Sequence, residues 1–145
     1  MFALNSLRIE KGYRAWKGDL STDYTVLQGG LGRFVHWGHE FRGKAALEAE
    51  KQQGVTKSFV TLLVAPGECD PPYMSTLWHG GQVVGETTSG YYGHRTGACI
   101  ALGMLRQDLS VPGTVLEVEI FGERFRAVVQ EDQPMWDPKN ERIRA

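Results

Sequence analysis

The sequence predicts a mainly β protein with some α structure: a six-stranded antiparallel barrel or jelly roll over residues 57–145, preceded by a helical segment. Three observations support this class. Apolar and polar residues alternate over short stretches after residue 57. Glycine occurs 18 times in 145 residues, well above the usual content of about 7%, which indicates many tight turns. Strong helix formers concentrate before residue 57.

Composition limits the classes of partner. Lys and Arg total 16 against 17 Asp and Glu, and the formal net charge is −1. Without a basic excess we expect neither nucleic acid nor a membrane surface as a partner. No apolar run approaches the roughly 20 residues of a membrane span. Residues 1–5 lack a secretory signal, and the two cysteines, Cys69 and Cys99, are expected to be reduced thiols in the cytoplasm.

The first predicted helix covers residues 3–11. Leu4, Leu7 and Lys11 keep helical spacing, and Gly12 suits the left-handed position after a helix end. Its apolar face begins two residues after Met1, with nothing before it to pack against. We therefore expect a truncated chain whose exposed apolar face leads to homo-oligomers.

Between this helix and the barrel the sequence is less regular. Residues 14–25 are polar and rich in turn formers. A short strand is predicted over residues 31–37. Residues 41–53 form the clearest helix, because they consist of strong helix formers, and Gly54 ends it.

The barrel strands begin with an apolar, β-branched segment over residues 58–64, followed by a proline-rich loop over residues 66–73. Residues 77–79 and 82–84 flank Gly80-Gly81, which predicts a hairpin with a type I′ turn. Residues 99–105 are continuously apolar, as expected of a buried strand.

The last hairpin is predicted with its register. Apolar residues alternate with charged ones over residues 116–120 and again over residues 125–129. A loop at Gly122-Glu123 would place Glu119 opposite Arg126, leaving one apolar face and one charge-paired face. The same register places Ile120 opposite Phe125.

No segment forms a complete catalytic or metal site by itself. His36 and His39 have a spacing that some zinc sites use, but no nearby cysteine or carboxylate pair completes four ligands. The polar stretch over residues 87–97 lacks phosphate-loop and nucleophile-elbow patterns and is expected to be a turn between strands. Within it, Ser89 and His94 have no orienting carboxylate. Glu68 and Asp70 lack an acid partner, and Cys99 is expected to be a small buried hydrophobe.

Four ordered segments together carry a family resemblance. Residues 6–13 (SLRIEKGY), 40–47 (EFRGKAAL), 88–90 with 100–103 (TSG, IALG), and 111–114 (VPGT) resemble motifs of the glycine-cleavage T-protein (aminomethyltransferase) family. The resemblance extends over essentially the whole chain. Residues 16–20 (WKGDL) and 136–142 (WDPKNER) are most similar to the dimethylglycine and sarcosine dehydrogenase branch.

The resemblance implies a fold of three small domains around a folate channel. Residues 1–56 would then be the C-terminal remnant of the folate-binding domain, and residues 57–145 the C-terminal barrel. Its implied activity transfers a one-carbon unit from an N-methyl amino acid of the glycine, sarcosine or dimethylglycine type to tetrahydrofolate. The family's catalytic aspartate lies upstream, and no residue here matches it. FAD would belong to a missing upstream domain, since the sequence has no G-x-G-x-x-G motif. The chain alone is therefore expected to be inactive.

Two residues are carried over as folate or substrate contacts: Arg8, from the S-L-R-x-E-x-G motif, and Glu141, near the C-terminus. The guanidinium of Arg8 suits a carboxylate or the polar edge of a heterocycle. An ion pair of Arg8 with Glu10 or another neighbour is the alternative. Two other functions remain open: a structural packing barrel without ligand affinity, or part of a folate-dependent demethylase for a sulfonium or aromatic methyl donor.

Overall fold

A computed structural model describes residues 2–65 and 71–144 of the chain. Its helices are α1 (Phe2–Glu10) and α2 (Lys44–Gln53), with short 3₁₀ turns at Gly32–Phe34 and Gln107–Leu109. Its strands are β1 (Lys57–Val64), β2 (Thr76–His79), β3 (Gln82–Gly93), β4 (Ala98–Arg106), β5 (Val115–Ile120) and β6 (Glu123–Val129). No helix in the described ranges is long and apolar enough to cross a membrane.

The six strands form a closed antiparallel barrel in the order β1-β4-β3-β2-β5-β6. Pairing of β1 with β6 closes it, with Leu62 opposite Val129 and Val64 opposite Ala127. The predicted fold class is thus confirmed as a barrel. Closure leaves no unpaired sheet edge, and one apolar core fills the interior from all six strands.

Strand β4 is buried on both faces. Cys99, Ala101 and Leu105 belong to the barrel core. Ile100 and Leu102 point outward and pack against Ile9 of α1 in a second cluster. This double burial explains why the sequence of β4 is continuously apolar instead of alternating.

Helix α1 therefore packs on the outside of the barrel, against β3 and β4. Gly12 follows it with a positive φ of 64°, as predicted. Its other side is open: Phe2, Leu4 and Leu7 are 83%, 68% and 43% exposed. The apolar face expected from the sequence is present at the surface of the described chain.

Helix α2 starts at Lys44 and not at Phe41. Gly43 precedes it with φ 91°, a conformation that interrupts a helix, and Gly54 ends it with φ 84°. None of its residues is buried. The strand predicted over residues 31–37 was wrong, because the chain turns there into the 3₁₀ segment Gly32–Phe34.

The two predicted hairpins have different outcomes. Gly80 and Gly81 join β2 to β3 with φ 57° and 77°, which confirms the type I′ turn. The register of the second hairpin was wrong. Its turn is Phe121-Gly122, so that Glu119 pairs with Arg124. The shift is two residues, which preserves the apolar and charged faces while changing every partner.

The prediction of a turn over residues 87–97 was also wrong for its first half. Residues 87–93 continue β3, and only the segment from His94 to Gly97 turns before β4 begins. A register shift between Thr87 and Ser89 bends the strand at this point. Part of the loop predicted over residues 66–73 lies outside the described residues.

Candidate functional site

Arg8 lies in the last turn of α1 at the edge of a polar cluster, and its side chain is 14% exposed. Its Nε donates to the Asn5 side chain, and Nη1 donates to the Tyr13 carbonyl at 3.1 Å and to Asp19 Oδ2 at 2.9 Å. Nη2 donates to Ser89 Oγ at 2.8 Å. Four of its five N–H groups therefore have acceptors within the described ranges. The fifth, on Nη2, has none there.

Asp19 is the centre of this cluster and is fully buried. Besides Arg8, its carboxylate accepts hydrogen bonds from the Ala15 backbone N–H at 2.7 Å, Thr88 Oγ1 at 2.6 Å and Ser89 Oγ at 2.8 Å. Each carboxylate oxygen thus receives two donors. Such a satisfied, paired charge is fixed in position, whereas an unpaired one would be costly to bury.

Local backbone geometry brings Asp19 to the barrel. The segment around it closes on itself through a bridge between Trp16 and Leu20, with Lys17 in the left-handed region at φ 71°. Gly18 lies against β3, where a Cβ would stand 3.3 Å from the Thr88 carbonyl oxygen. Because Gly18 has no side chain, the segment lies close enough to β3 for the Asp19 carboxylate to reach the hydroxyls of Thr88 and Ser89.

The alternative expected for Arg8, an ion pair with Glu10 or another neighbour, does form: the partner is Asp19, eleven residues along the chain, and among the described residues no ion pair joins Arg8 to Glu10. Glu10 is 1% exposed and its Oε1 accepts the backbone N–H groups of Arg95 and Thr96 at 2.7 and 2.9 Å. It therefore fixes the β3–β4 turn. Its Oε2 is buried without a hydrogen-bond partner in the described part of the chain.

Lys11, immediately after α1, holds the C-terminal tail, residues 136–144. Its ammonium donates to the Asp137 carbonyl and to Asn140 Oδ1, both at 2.7 Å. The Trp136 ring lies 5.5 Å from the same nitrogen. One helix thus carries Arg8 toward the Asp19 cluster and anchors the tail one turn later.

The tail is organised around the Asp137 carboxylate, which accepts the backbone N–H groups of Glu141, Arg142 and Ile143. Burial alone would raise the pKa of Asp137, but these N–H donors, together with the charge of Lys11, outweigh it and lower the pKa below its ordinary value. The ionised carboxylate therefore holds the tail in its fold.

Glu141 is exposed, and the structure gives no hydrogen bond or ion pair between it and Arg8 among the residues it describes. It lines a groove of about 660 Å³ together with Arg95, Trp136 and Arg142. The Arg95 guanidinium stacks on the Trp136 ring at 4.2 Å. The two site residues named from the sequence thus lie in separate surroundings, connected through α1.

The other candidates do not assemble a site. The rings of His36 and His39 contact edge to face at 4.5 Å, and no metal-binding group of three or more side chains occurs in the described ranges. Ser89 bonds Asp19 and Arg8, while the His94 ring packs on Tyr92 at 5.2 Å. Glu68, Asp70 and Cys69 lie outside the described residues.

Sequence reasoning missed Asp19 and Ser89, which bond Arg8, and Thr88, which donates to Asp19. Lys17-Gly18-Asp19 has the composition of a solvent-exposed turn, and Thr88 and Ser89 that of a loop. The sequence did contain one weak signal for this cluster. Thr88 and Ser89 are adjacent hydroxyl residues beside the apolar segment that forms β4, and hydroxyls that become buried there need a hydrogen-bond acceptor.

Comparison with known proteins places these features in context. Residues 57–137 match the family model described as the glycine cleavage T-protein C-terminal barrel domain. Dimethylglycine dehydrogenase, mitochondrial, of Mus musculus is 36% identical over 145 residues, covering 98% of this chain and 17% of that protein. A probable aminomethyltransferase of Thermococcus gammatolerans is 33% identical, covering 94% of this chain and 36% of that protein.

Among solved structures, the glycine cleavage system aminomethyltransferase T of Bartonella henselae superposes with a TM-score of 0.82. It is 23% identical, and the match covers 94% of this chain and 38% of that one. The likeness therefore concerns the fold. The chain spans about a sixth to two fifths of the length of the proteins it matches.

Proposed function

Because the chain belongs to the glycine cleavage T-protein family, whose C-terminal barrel domain its residues 57–137 match, we propose that it forms part of a tetrahydrofolate-dependent aminomethyltransferase module. The module would pass a one-carbon unit from an N-methyl amino acid of the glycine, sarcosine or dimethylglycine type to tetrahydrofolate. We assign no residue of this chain to a flavin, since the sequence has no G-x-G-x-x-G fingerprint. The chain alone is not proposed to catalyse the transfer.

The observation that carries this proposal is the state of Arg8. Its guanidinium is oriented by a buried carboxylate, yet 14% of the side chain is exposed and one Nη2–H has no acceptor in the described ranges. An N–H held at an exposed edge is suited to donate to a carboxylate of tetrahydrofolate or to the polar edge of its pterin. The donor set of Arg8 therefore fits tetrahydrofolate as a ligand.

The Asp19 pair determines what Arg8 contributes. Because Asp19 neutralises the guanidinium at 2.9 Å, Arg8 offers little net charge to attract a distant anion. Its contribution is a fixed orientation of the guanidinium. Ser89 accepts a hydrogen bond from Arg8 and donates one to Asp19, which closes a ring of hydrogen bonds among the three side chains. We infer that Arg8 orients the folate, and that most of the binding free energy comes from other contacts.

Glu141 is proposed as a second ligand contact through the tail. Its backbone N–H is fixed by Asp137, and the tail is held by Lys11, three residues after Arg8. A shift of α1 would therefore move both Arg8 and the anchor of Glu141. The proposal rests on this shared support.

The proposed division of the chain follows the same helix. Residues 1–56 are assigned to the end of the folate-binding domain and residues 57–145 to the barrel, with the boundary at the start of β1. Self-association through the exposed apolar side of α1 is proposed as well. Light scattering tests it: Leu4→Glu should reduce the apparent mass at high concentration, and a monomeric wild-type chain would contradict it.

A cytoplasmic location, as expected from the sequence, is also proposed. The mouse relative is a mitochondrial dehydrogenase. Cell fractionation distinguishes the two, since recovery in an organelle fraction would contradict the proposal.

Calorimetric titration of the complete protein with tetrahydrofolate tests the proposed function. We expect saturable binding that Arg8→Gln weakens about tenfold or more, the loss expected for one charge-assisted hydrogen bond. Arg126→Gln, which removes an exposed cation on the charged face of the β5–β6 hairpin, should bind as the wild type does. The isolated 145 residues are titrated in parallel. No saturable binding by the complete protein would overturn the proposal and favour a packing role.

A further inference from the structure

A second pocket is lined by residues of the segment that follows α1. It has a volume of about 400 Å³, within the range of small-molecule sites. Arg8 and Glu141 do not line it. Its lining combines apolar side chains with two arginines and an aspartate, and the Arg33 guanidinium lies 5.0 Å from the centre of the Phe34 ring. Among the lining side chains are Tyr13, Leu20, Phe34, Arg14, Arg33 and Asp132.

Arg14 is the unusual member of this lining. Its side chain is only 8% exposed, and its guanidinium stacks on the Phe59 ring at 4.1 Å. Gly30 makes room for it, because a Cβ there would stand 2.9 Å from Arg14 Nη2. The cation is therefore held in place by packing, and stacking on an aromatic face suits the weakly hydrated guanidinium.

The donors of Arg14 are underused. Its one hydrogen bond in the described ranges runs from Nη2 to Asp132 Oδ1 at 3.3 Å, and its Nε is buried there without a partner. A guanidinium carries five N–H groups, and leaving them unpaired in a buried position is costly. Arg14 is thus a desolvated cation in need of acceptors beside an open pocket.

The charge balance favours an anion. Asp132 bridges Arg14 and Arg33 at 3.3 and 3.6 Å, so one carboxylate faces two guanidinium groups. Asp132 and Arg33 are each 59% exposed. Lys11 also lines the pocket, but its charge is offset by Asp137. One positive charge remains in excess among Arg14, Arg33 and Asp132.

We propose that this pocket binds an organic carboxylate, with the carboxylate on Arg14 and Arg33 and the apolar body against Tyr13 and Phe34. The two aromatic side chains are 58% and 71% exposed and line the same pocket. They distinguish the expected ligand from a bare inorganic anion, which could use only the charges. The site is independent of the folate proposal.

The test is an NMR titration of the ¹⁵N-labelled protein with benzoate, acetate and inorganic phosphate, followed at the arginine side-chain signals. We expect benzoate to shift the Arg14 and Arg33 signals saturably and to bind more tightly than acetate or phosphate. Equal affinity for all three would overturn the organic part of the proposal. Absence of saturable shifts at these two arginines would overturn the site itself.

Three variants make the test specific. Arg33→Gln should weaken benzoate binding about two- to fivefold, as expected for an exposed ion pair. Asp132→Asn should strengthen it by a similar factor, because it removes the competing carboxylate. Arg33 and Asp132 are exposed, so these two variants should fold as the wild type does. Arg14→Gln should abolish benzoate binding, and its loss of binding is read only when the NMR spectrum shows a folded variant. Unchanged affinity in both surface variants would refute the proposal.

Discussion

Replacing Asp19 by Ala should destabilise the protein by about 3 kcal/mol. The substitution removes a fully buried carboxylate that accepts four hydrogen bonds, one of them from Arg8. Breaking a buried ion pair from one side costs about 3–5 kcal/mol. The lower end applies here, because the remaining guanidinium is 14% exposed and can be partly rehydrated.

Urea unfolding followed by tryptophan fluorescence measures this loss. With a slope of about 2 kcal/mol per molar urea, a loss of 3 kcal/mol lowers the midpoint by about 1.5 M. Asp19→Asn keeps the shape and one acceptor, but it turns an amide N–H₂ toward the donors of Arg8 and Ala15. It should therefore lose about 2 kcal/mol.

Asp23→Ala is the matched control, since Asp23 is exposed and bonds only the half-buried Ser21 among the described residues. It should change the free energy of unfolding by less than about 0.5 kcal/mol. If Asp19→Ala shifted the midpoint no more than this control, Asp19 would not be the buried anchor of Arg8.

Three further predictions follow from the tail and the barrel. In the folded chain the pKa of Asp137 lies below its ordinary value of 3.8. The stability that the ionised carboxylate contributes is therefore complete above pH 3.8 and is lost as the pH falls through the lowered pKa of the folded chain. Trp136 fluorescence should report this acid transition, and Asp137→Asn should remove it. Lys11→Met should release the tail, which limited trypsin digestion detects as faster cleavage after residue 136 than in the wild type; an unchanged rate would contradict the anchoring role. Gly85→Ala should lower the free energy of unfolding by about 1–3 kcal/mol, because its Cβ would collide with the backbone of β4. In the control Gly29→Ala the Cβ meets only ordinary contacts at 3.4 Å. Thermal unfolding should therefore show a lower midpoint for Gly85→Ala than for Gly29→Ala.

The parts of the fold that sequence predicted are those with a local cause. Paired glycines with positive φ determined the β2–β3 turn, and two-residue alternation determined which face of β5 and β6 is apolar. Alternation does not determine the register, because any shift by two residues gives the same faces. The turn at Phe121-Gly122 therefore paired Glu119 with Arg124 instead of Arg126.

The site was less predictable because its contacts are distant in sequence. Arg8 is separated from Asp19 by eleven residues and from Ser89 by 81. Thr88 and Ser89 are polar yet almost fully buried, and only the arrival of Asp19 makes that burial favourable. No periodic pattern in the sequence predicts contacts between such distant residues. The motif around Arg8 identified only Arg8 itself as a residue of the site.

The proposed contact between Arg8 and tetrahydrofolate is tested most directly by the ¹⁵N side-chain signals of Arg8 in the complete protein during a tetrahydrofolate titration. We expect saturable shifts of the Arg8 Nη signals and loss of those shifts in Asp19→Ala. Arg126, on the charged face of the β5–β6 hairpin, should not respond. Saturable shifts confined to Arg95 and Arg142, with Arg8 unchanged, would contradict it and place the ligand in the tail groove.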